Sequence, residues 1–173
     1  MLSALILLRH VAETMPSAGP AEARLSEAQF RRARALADFL QLYNPTELLA
    51  GPGTGCTDTL APLAGRLDLR ITVTDDLAPA APKLPSAAHT AVWTAARALR
   101  TLPDARRTTI VCAESAVLAA LLVAVAARDG HDLSRYEQPI PLGDDTGVLP
   151  AGAGWVLHRD DGLLVDVKPL AVR

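Results

Sequence analysis

The chain has 173 residues, half of them apolar, and only 3% are aromatic, so one domain spanning 1–173 with an aliphatic core is expected. The net charge is −2 with both signs scattered, which argues against a nucleic-acid partner, since that needs a concentrated basic face. No apolar run reaches the roughly eighteen residues of a bilayer span, and no basic leader follows Met1, so neither a membrane segment nor a secretion signal is expected.

The two cysteines, Cys56 and Cys112, have no zinc or redox spacing. A cytoplasmic protein with no metal or cofactor is the expectation.

In chain order, Ala4 to Leu8 is a short apolar run that reads as a buried strand and ends in Arg9-His10. Function collects at the carboxyl ends of strands in open parallel sheets, so this pair is the first candidate. Residues 11–25 carry Pro16, Gly19 and Pro20 and read as a loop. Ser26 with Gln29 forms a capping-box pattern before a helix over Glu27 to Tyr43. Glu47 to Ala50 is a second buried strand, followed by a turn over Gly51 to Gly55. Cys56 to Leu67 reads as a helix, in which Pro62 fits only near the first turns.

Arg70 to Val73 alternates like a strand, and 75–85 is a Pro- and Ala-rich loop. Ser86 is placed to cap a helix to Leu102. Thr108 to Cys112 is the third strong strand, and Ala116 to Ala127 is a largely buried helix ended by Asp129-Gly130. Pro139 to Gly152 is irregular, with Asp144-Asp145 as a turn signal. Trp155 to His158, Asp160-Asp161-Gly162 and Leu163 to Val167 spell a hairpin. Alternating strands and helices predict a three-layer α/β fold, mostly parallel, with helices on both faces and a terminal antiparallel hairpin. An exposed hairpin edge would permit a homodimer.

Taken together, these segments resemble the histidine phosphatase superfamily, of phosphoglycerate-mutase-like fold, over nearly the whole chain. Leu8-Arg9-His10 is similar to the opening Arg-His motif. Leu25-Ser26-Glu27 through Ala33 is similar to the first-helix pattern L-T/S-E-x-G-x-x-Q-A. Leu49-Ala50-Gly51-Pro52 with Cys56-Thr57-Asp58-Thr59-Leu60 is similar to S-S-P-x-x-R-C-x-x-T, and Ile110 through Leu122 to V-V-x-S-H-G-x-V-x-x-x-L-L. The resemblance implies a nucleophilic His10 and an Arg9 that grips phosphoryl oxygens. It further implies a second Arg, a second His and a carboxylate acid.

The sequence departs from that pattern where charge matters most. Gly55 stands at the second Arg and Glu114 at the second His. Ala12 stands where a carboxylate is often found, with Glu13 beside it, and Ala78-Pro79 falls near another acidic position, close to Asp75 and Asp76. No Arg or Lys lies between Leu49 and Gly65, and no His between Thr90 and Gly130, so a one-residue shift restores nothing. A phosphoryl transition state carries negative charge on three oxygens. One unit charge at about 4 Å is worth about 4 kcal/mol at an effective dielectric of 20. Poor phosphatase activity, or none, is therefore expected.

The remaining pair suits proton chemistry. A carboxylate beside an imidazole raises the His pKa, and His10 facing Glu114 next to Arg9 forms an acid–base site for a small neutral or cationic molecule. His10 would be base or nucleophile, Glu114 would orient it or exchange protons, and Arg9 would anchor the ligand. Thr54, Thr57 and Ser115 would add hydrogen bonds, and Glu13 and Gly55 would border the ligand.

Plainer readings stand beside these. Arg9 could form only a salt bridge to Glu114, His10 could be a relic, and the protein a silent binding module or a weak phosphatase. Glu13 could be a solvated loop charge, and Cys56 and Cys112 small core residues. His89, His131 and His158 read as surface or hairpin residues. A metal held by His10, Glu114 and Glu13 has no supporting ligand spacing. Gly51 and Gly53 serve the turn, since no Lys follows them.

Overall fold

The computed structural model describes residues 1–12, 25–136 and 149–170. Six strands form one sheet: β1 (Leu2–Arg9), β2 (Glu47–Ala50), β3 (Ile71–Val73), β4 (Thr109–Ala113), β5 (Gly154–Asp160) and β6 (Leu163–Leu170). Their spatial order is β3-β2-β4-β1-β5-β6. β1 and β4, β2 and β4, and β2 and β3 pair in parallel, while β5 pairs antiparallel with β1 and with β6. The helices are α1 (Glu27–Leu40), α2 (Thr54–Leu67), α3 (Ala87–Arg100) and α4 (Ser115–Asp129).

β1 shows why an unbroken apolar run makes a central strand. Side chains alternate across a strand. Leu5 and Leu7 pack into the cluster containing Ala98 of α3 and Val117, Leu118 and Leu121 of α4. Ala4, Ile6 and Leu8 pack into the opposite cluster with Ala33, Leu36 and Leu40 of α1 and Leu60 and Leu63 of α2. Both faces are covered, so every position must be apolar. β4 divides the same way, with Val111 and Ala113 on one face and Ile110 and Cys112 on the other. This is the expected three-layer architecture, with α1 and α2 on one face and α3 and α4 on the other.

Several local expectations hold with small shifts. Ser26 caps α1 through a full capping box, and Ser86 caps α3 by accepting from the His89 N–H. The first helix stops at Leu40 and tightens into a 3₁₀ turn over Gln41–Tyr43. α4 ends on left-handed Gly130, and Asp161 and Gly162, both at positive φ, turn β5 into β6.

Three details differ from expectation. β1 continues through Arg9, whose N–H donates to the Ala153 carbonyl. α2 begins at Thr54, which leaves Pro62 inside the helix and not in its first turns. The prolyl nitrogen supplies no N–H to the preceding turn, yet the buried Leu60 and Leu63 hold the helix against the sheet. A 3₁₀ turn over Asp75–Leu77 occupies the start of the predicted loop and buries Leu77. Among the described residues no helix is long and apolar enough to cross a membrane. Glu13 and Asp144-Asp145 lie outside the described residues.

Candidate active site

The sheet register places the candidate residues. Arg9 of β1 pairs with Ala113 of β4, so the next residues, His10 and Glu114, leave two adjacent parallel strands side by side. His10 Nε2 lies 2.9 Å from Glu114 Oε1. The imidazole is buried, with its side chain 8% exposed, whereas that of Glu114 is 45% exposed. The pair therefore has an inner imidazole and an outer carboxylate.

Glu114 is free to turn toward His10 because it caps α4 with its backbone alone. It is the N-cap residue, its carbonyl accepts from the Leu118 N–H, and its side chain makes no capping bond. The positive end of the helix dipole also favours a carboxylate there.

The Glu114 hydrogen bond raises the His10 pKa from its ordinary 6.5; burial and the Arg9 cation oppose it, while the charge of Glu114 and the nearby Cys56 thiol assist. The hydrogen bond from His10 lowers Glu114 from its ordinary 4.5, assisted by the charges of His10 and Arg9. Both directions favour the charged forms of the pair, imidazolium and carboxylate.

Arg9 takes a different partner from the one considered in sequence. Its Nη1 donates to the Leu149 carbonyl, and among the described residues it forms no ion pair with Glu114. Its Nε is buried without a hydrogen-bond partner among those residues. The salt-bridge reading of Arg9 is thereby corrected: its guanidinium turns to the Leu149 carbonyl, and Glu114 Oε1 meets His10.

Gly55 lies against the imidazole. A Cβ added there would sit 3.4 Å from His10 Nδ1 and 3.0 Å from the Ala12 Cβ. Glycine lets α2 approach the strand end closely, and a longer side chain at this position would need Ala12 to move. Thr57 spends its hydroxyl within its own helix, donating to the Thr54 carbonyl at 3.0 Å. Thr54 is exposed at the first position of α2, and Ser115 is buried with an Oγ that has no hydrogen-bond partner among the described residues. The structure thus brings Arg9, His10, Glu114 and Gly55 together, while Thr57 is engaged elsewhere.

Sequence reasoning missed Thr59. Its Oγ1 donates to the Gly55 carbonyl at 2.6 Å and accepts from the Val11 N–H at 3.1 Å, so one hydroxyl ties the chain after His10 to α2. Within a helix a single Thr carries no local signal for this; the clue was its place in the Cys56-Thr57-Asp58-Thr59 motif.

The other histidines are engaged locally. His89 bonds to Ser86, and His158 lies near the Tyr43 ring. His131 bonds to the Tyr136 hydroxyl at 2.7 Å, which also accepts from the Val167 N–H, so it belongs to a link between α4 and β6 and not to free surface. An open apolar groove of about 530 Å³ on α3, lined by Leu84, Ala88, Val92 and Trp93 among others, shares no residue with the His10 site.

No protein-family model and no curated protein matches the chain. Solved structures do. A mycobacterial glucosyl-3-phosphoglycerate phosphatase is similar at TM-score 0.65 and 17% identity, over 98% of this chain and 97% of that one. A putative phosphohistidine phosphatase SixA from Agrobacterium tumefaciens is similar at TM-score 0.57 and 20% identity, over 96% and 97%. YhfR of Bacillus stearothermophilus is similar at TM-score 0.63 and 15% identity, over 94% of each chain. These neighbours are members of the histidine phosphatase superfamily, and theirs is the fold of this chain.

Proposed function

We propose that this chain uses the histidine-phosphatase fold for proton transfer on a small organic molecule and is not an efficient phosphatase. The observation that carries the reading is the 2.9 Å contact of His10 Nε2 with Glu114 Oε1. While Nε2–H is donated to the Glu114 carboxylate, that nitrogen has no lone pair with which to attack phosphorus. The same carboxylate repels the anionic group that a phosphatase must bind.

The pair is suited to moving a proton. His10, whose basicity Glu114 raises, is the base of the pair, and Glu114, the more exposed partner, orients it and exchanges protons with the substrate. Arg9 stabilises developing oxyanion charge or anchors a ligand carboxylate. A neutral or cationic substrate, or one that shows its carboxylate to Arg9 alone, fits this polarity. A second reading, a catalytically silent binding protein, is favoured by the burial of His10.

The test is a turnover screen of aryl phosphates beside a panel of hydrolysis, isomerisation and dehydration substrates, with His10→Ala and Glu114→Gln as controls. The expected result is no phosphate release above the His10→Ala background, and turnover in the panel that both substitutions abolish. Phosphate release that depends on His10 would restore the phosphatase reading. A panel without turnover would favour the silent protein.

A further inference from the structure

The His10 imidazole is held by a hydrogen bond at one nitrogen only. Nε2 meets Glu114 Oε1 at 2.9 Å, whereas Nδ1 is buried with no hydrogen-bond partner among the described residues. A working histidine is commonly oriented by the bond that its second nitrogen makes. Here packing takes that part, and it comes from the first turn of α2. A Cβ built on Gly55 would lie 3.4 Å from Nδ1 and 3.5 Å from Cγ, so the backbone of that turn walls the Nδ1 side of the ring.

A wall steadies the ring only if it is fixed to the chain that carries the ring. β1 ends at Arg9, and two residues later the Val11 N–H finds its partner in α2, at Thr59 Oγ1, 3.1 Å away. The same hydroxyl donates to the Gly55 carbonyl at 2.6 Å. Its one proton goes to Gly55 and its lone pair takes the Val11 N–H, so both functions of the group are used. Val11 is 1% exposed and Thr59 3%, so bulk water is not at hand to replace either bond. One buried hydroxyl thus joins the residue after His10 to the residue that walls its ring.

We propose that Thr59 is a positioning residue for His10: its hydroxyl locks the first turn of α2 onto the chain leaving β1 and so keeps Nε2 on Glu114. Without the hydroxyl the Val11 N–H is left buried and unpaired, which favours parting of the two segments. The ring then gains freedom, and its bond to Glu114 is made only part of the time. The carboxylate's lift on the imidazole shrinks with it. Serine keeps the hydroxyl; valine keeps the shape without it. The inference holds whichever reaction the site performs, so a failed turnover screen leaves it standing.

The experiment is a nitrogen NMR titration of His10 in the full chain, its signal assigned by its loss in His10→Ala. Wild type, Thr59→Val and Thr59→Ser are compared with Leu164→Ala. Leu164 is a buried β6 residue that pairs with Arg159, at the Ser3 end of the sheet and away from Arg9. It therefore reports what loss of stability alone does to the midpoint. Thr59→Val should lower the His10 midpoint by roughly half a unit or more. Thr59→Ser and Leu164→Ala should keep it. Amide exchange in the wild type, which needs no variant to fold, should show Val11 protected. A wild-type midpoint in folded Thr59→Val, an equal fall in Thr59→Ser or in Leu164→Ala, or a freely exchanging Val11 amide would each overturn the proposal.

Discussion

His10 and Glu114 occupy equivalent positions past the ends of two hydrogen-bonded parallel strands, and their side chains meet at 2.9 Å. In the pattern this sequence resembles, two cations would face each other across that gap with a phosphoryl group between them. Here a hydrogen-bonded imidazole–carboxylate pair fills the gap.

The first prediction concerns anion binding. Replacing Glu114 by His changes the local charge by up to two units, and one unit at about 4 Å is worth about 4 kcal/mol at an effective dielectric of 20. Because Glu114 is half exposed, solvent screening reduces this. Glu114→His should still tighten inorganic phosphate binding by roughly tenfold or more, read by titration calorimetry, with Glu114→Gln in between. Unchanged affinity across the series would mean the carboxylate does not set the polarity of the site. Adding Gly55→Arg to Glu114→His should help less than its charge suggests, because Ala12 lies 3.0 Å from the new Cβ.

The second prediction concerns pH and stability. A raised His10 pKa stabilises the fold fully below 6.5, and the contribution is lost as pH rises through the higher folded value. A lowered Glu114 pKa stabilises above 4.5 and is lost as pH falls through the lower folded value. The stability advantage of the wild type over Glu114→Gln should therefore be largest between pH 4.5 and 6.5 and shrink on either side. Urea titrations of both proteins across pH 3 to 9 check this (roughly the range over which both groups change charge). A difference that grows steadily with pH would contradict it.

The third prediction concerns the sheet. Gly154 of β5 pairs with Leu8, and a Cβ there would come within 1.8 Å of the Leu7 carbonyl oxygen. No side chain fits unless β5 moves off β1. Gly154→Ala should cost about 3 kcal/mol or more in chemical denaturation, whereas Gly65→Ala, which meets nothing within 4 Å, should be tolerated. Equal stability of the two variants would show that β5 can shift freely.

How much of this was legible in sequence depends on how local the cause is. The two-sided burial of β1 was legible in Leu5 to Leu8, because an unbroken apolar run is what two covered faces demand. Ser26, Gly130 and Asp161-Gly162 were legible because caps and turns act over a few residues. The meeting of His10 and Glu114 was legible only through the resemblance, which supplied the two strand ends. Arg9 turning to Leu149 was not legible, since the partner is a backbone carbonyl 140 residues away. Pro62 was awkward in sequence, and the helix read over it nonetheless runs through it, with Leu60 and Leu63 buried in the core.

The most direct measurement is the titration of the His10 imidazole by nitrogen NMR, in the wild type and in Glu114→Gln. The account predicts a midpoint above 6.5 in the wild type, with Nε2 carrying its proton at neutral pH, and a fall in the midpoint when the carboxylate becomes an amide. A midpoint below 6.5, or one indifferent to the substitution, would contradict it.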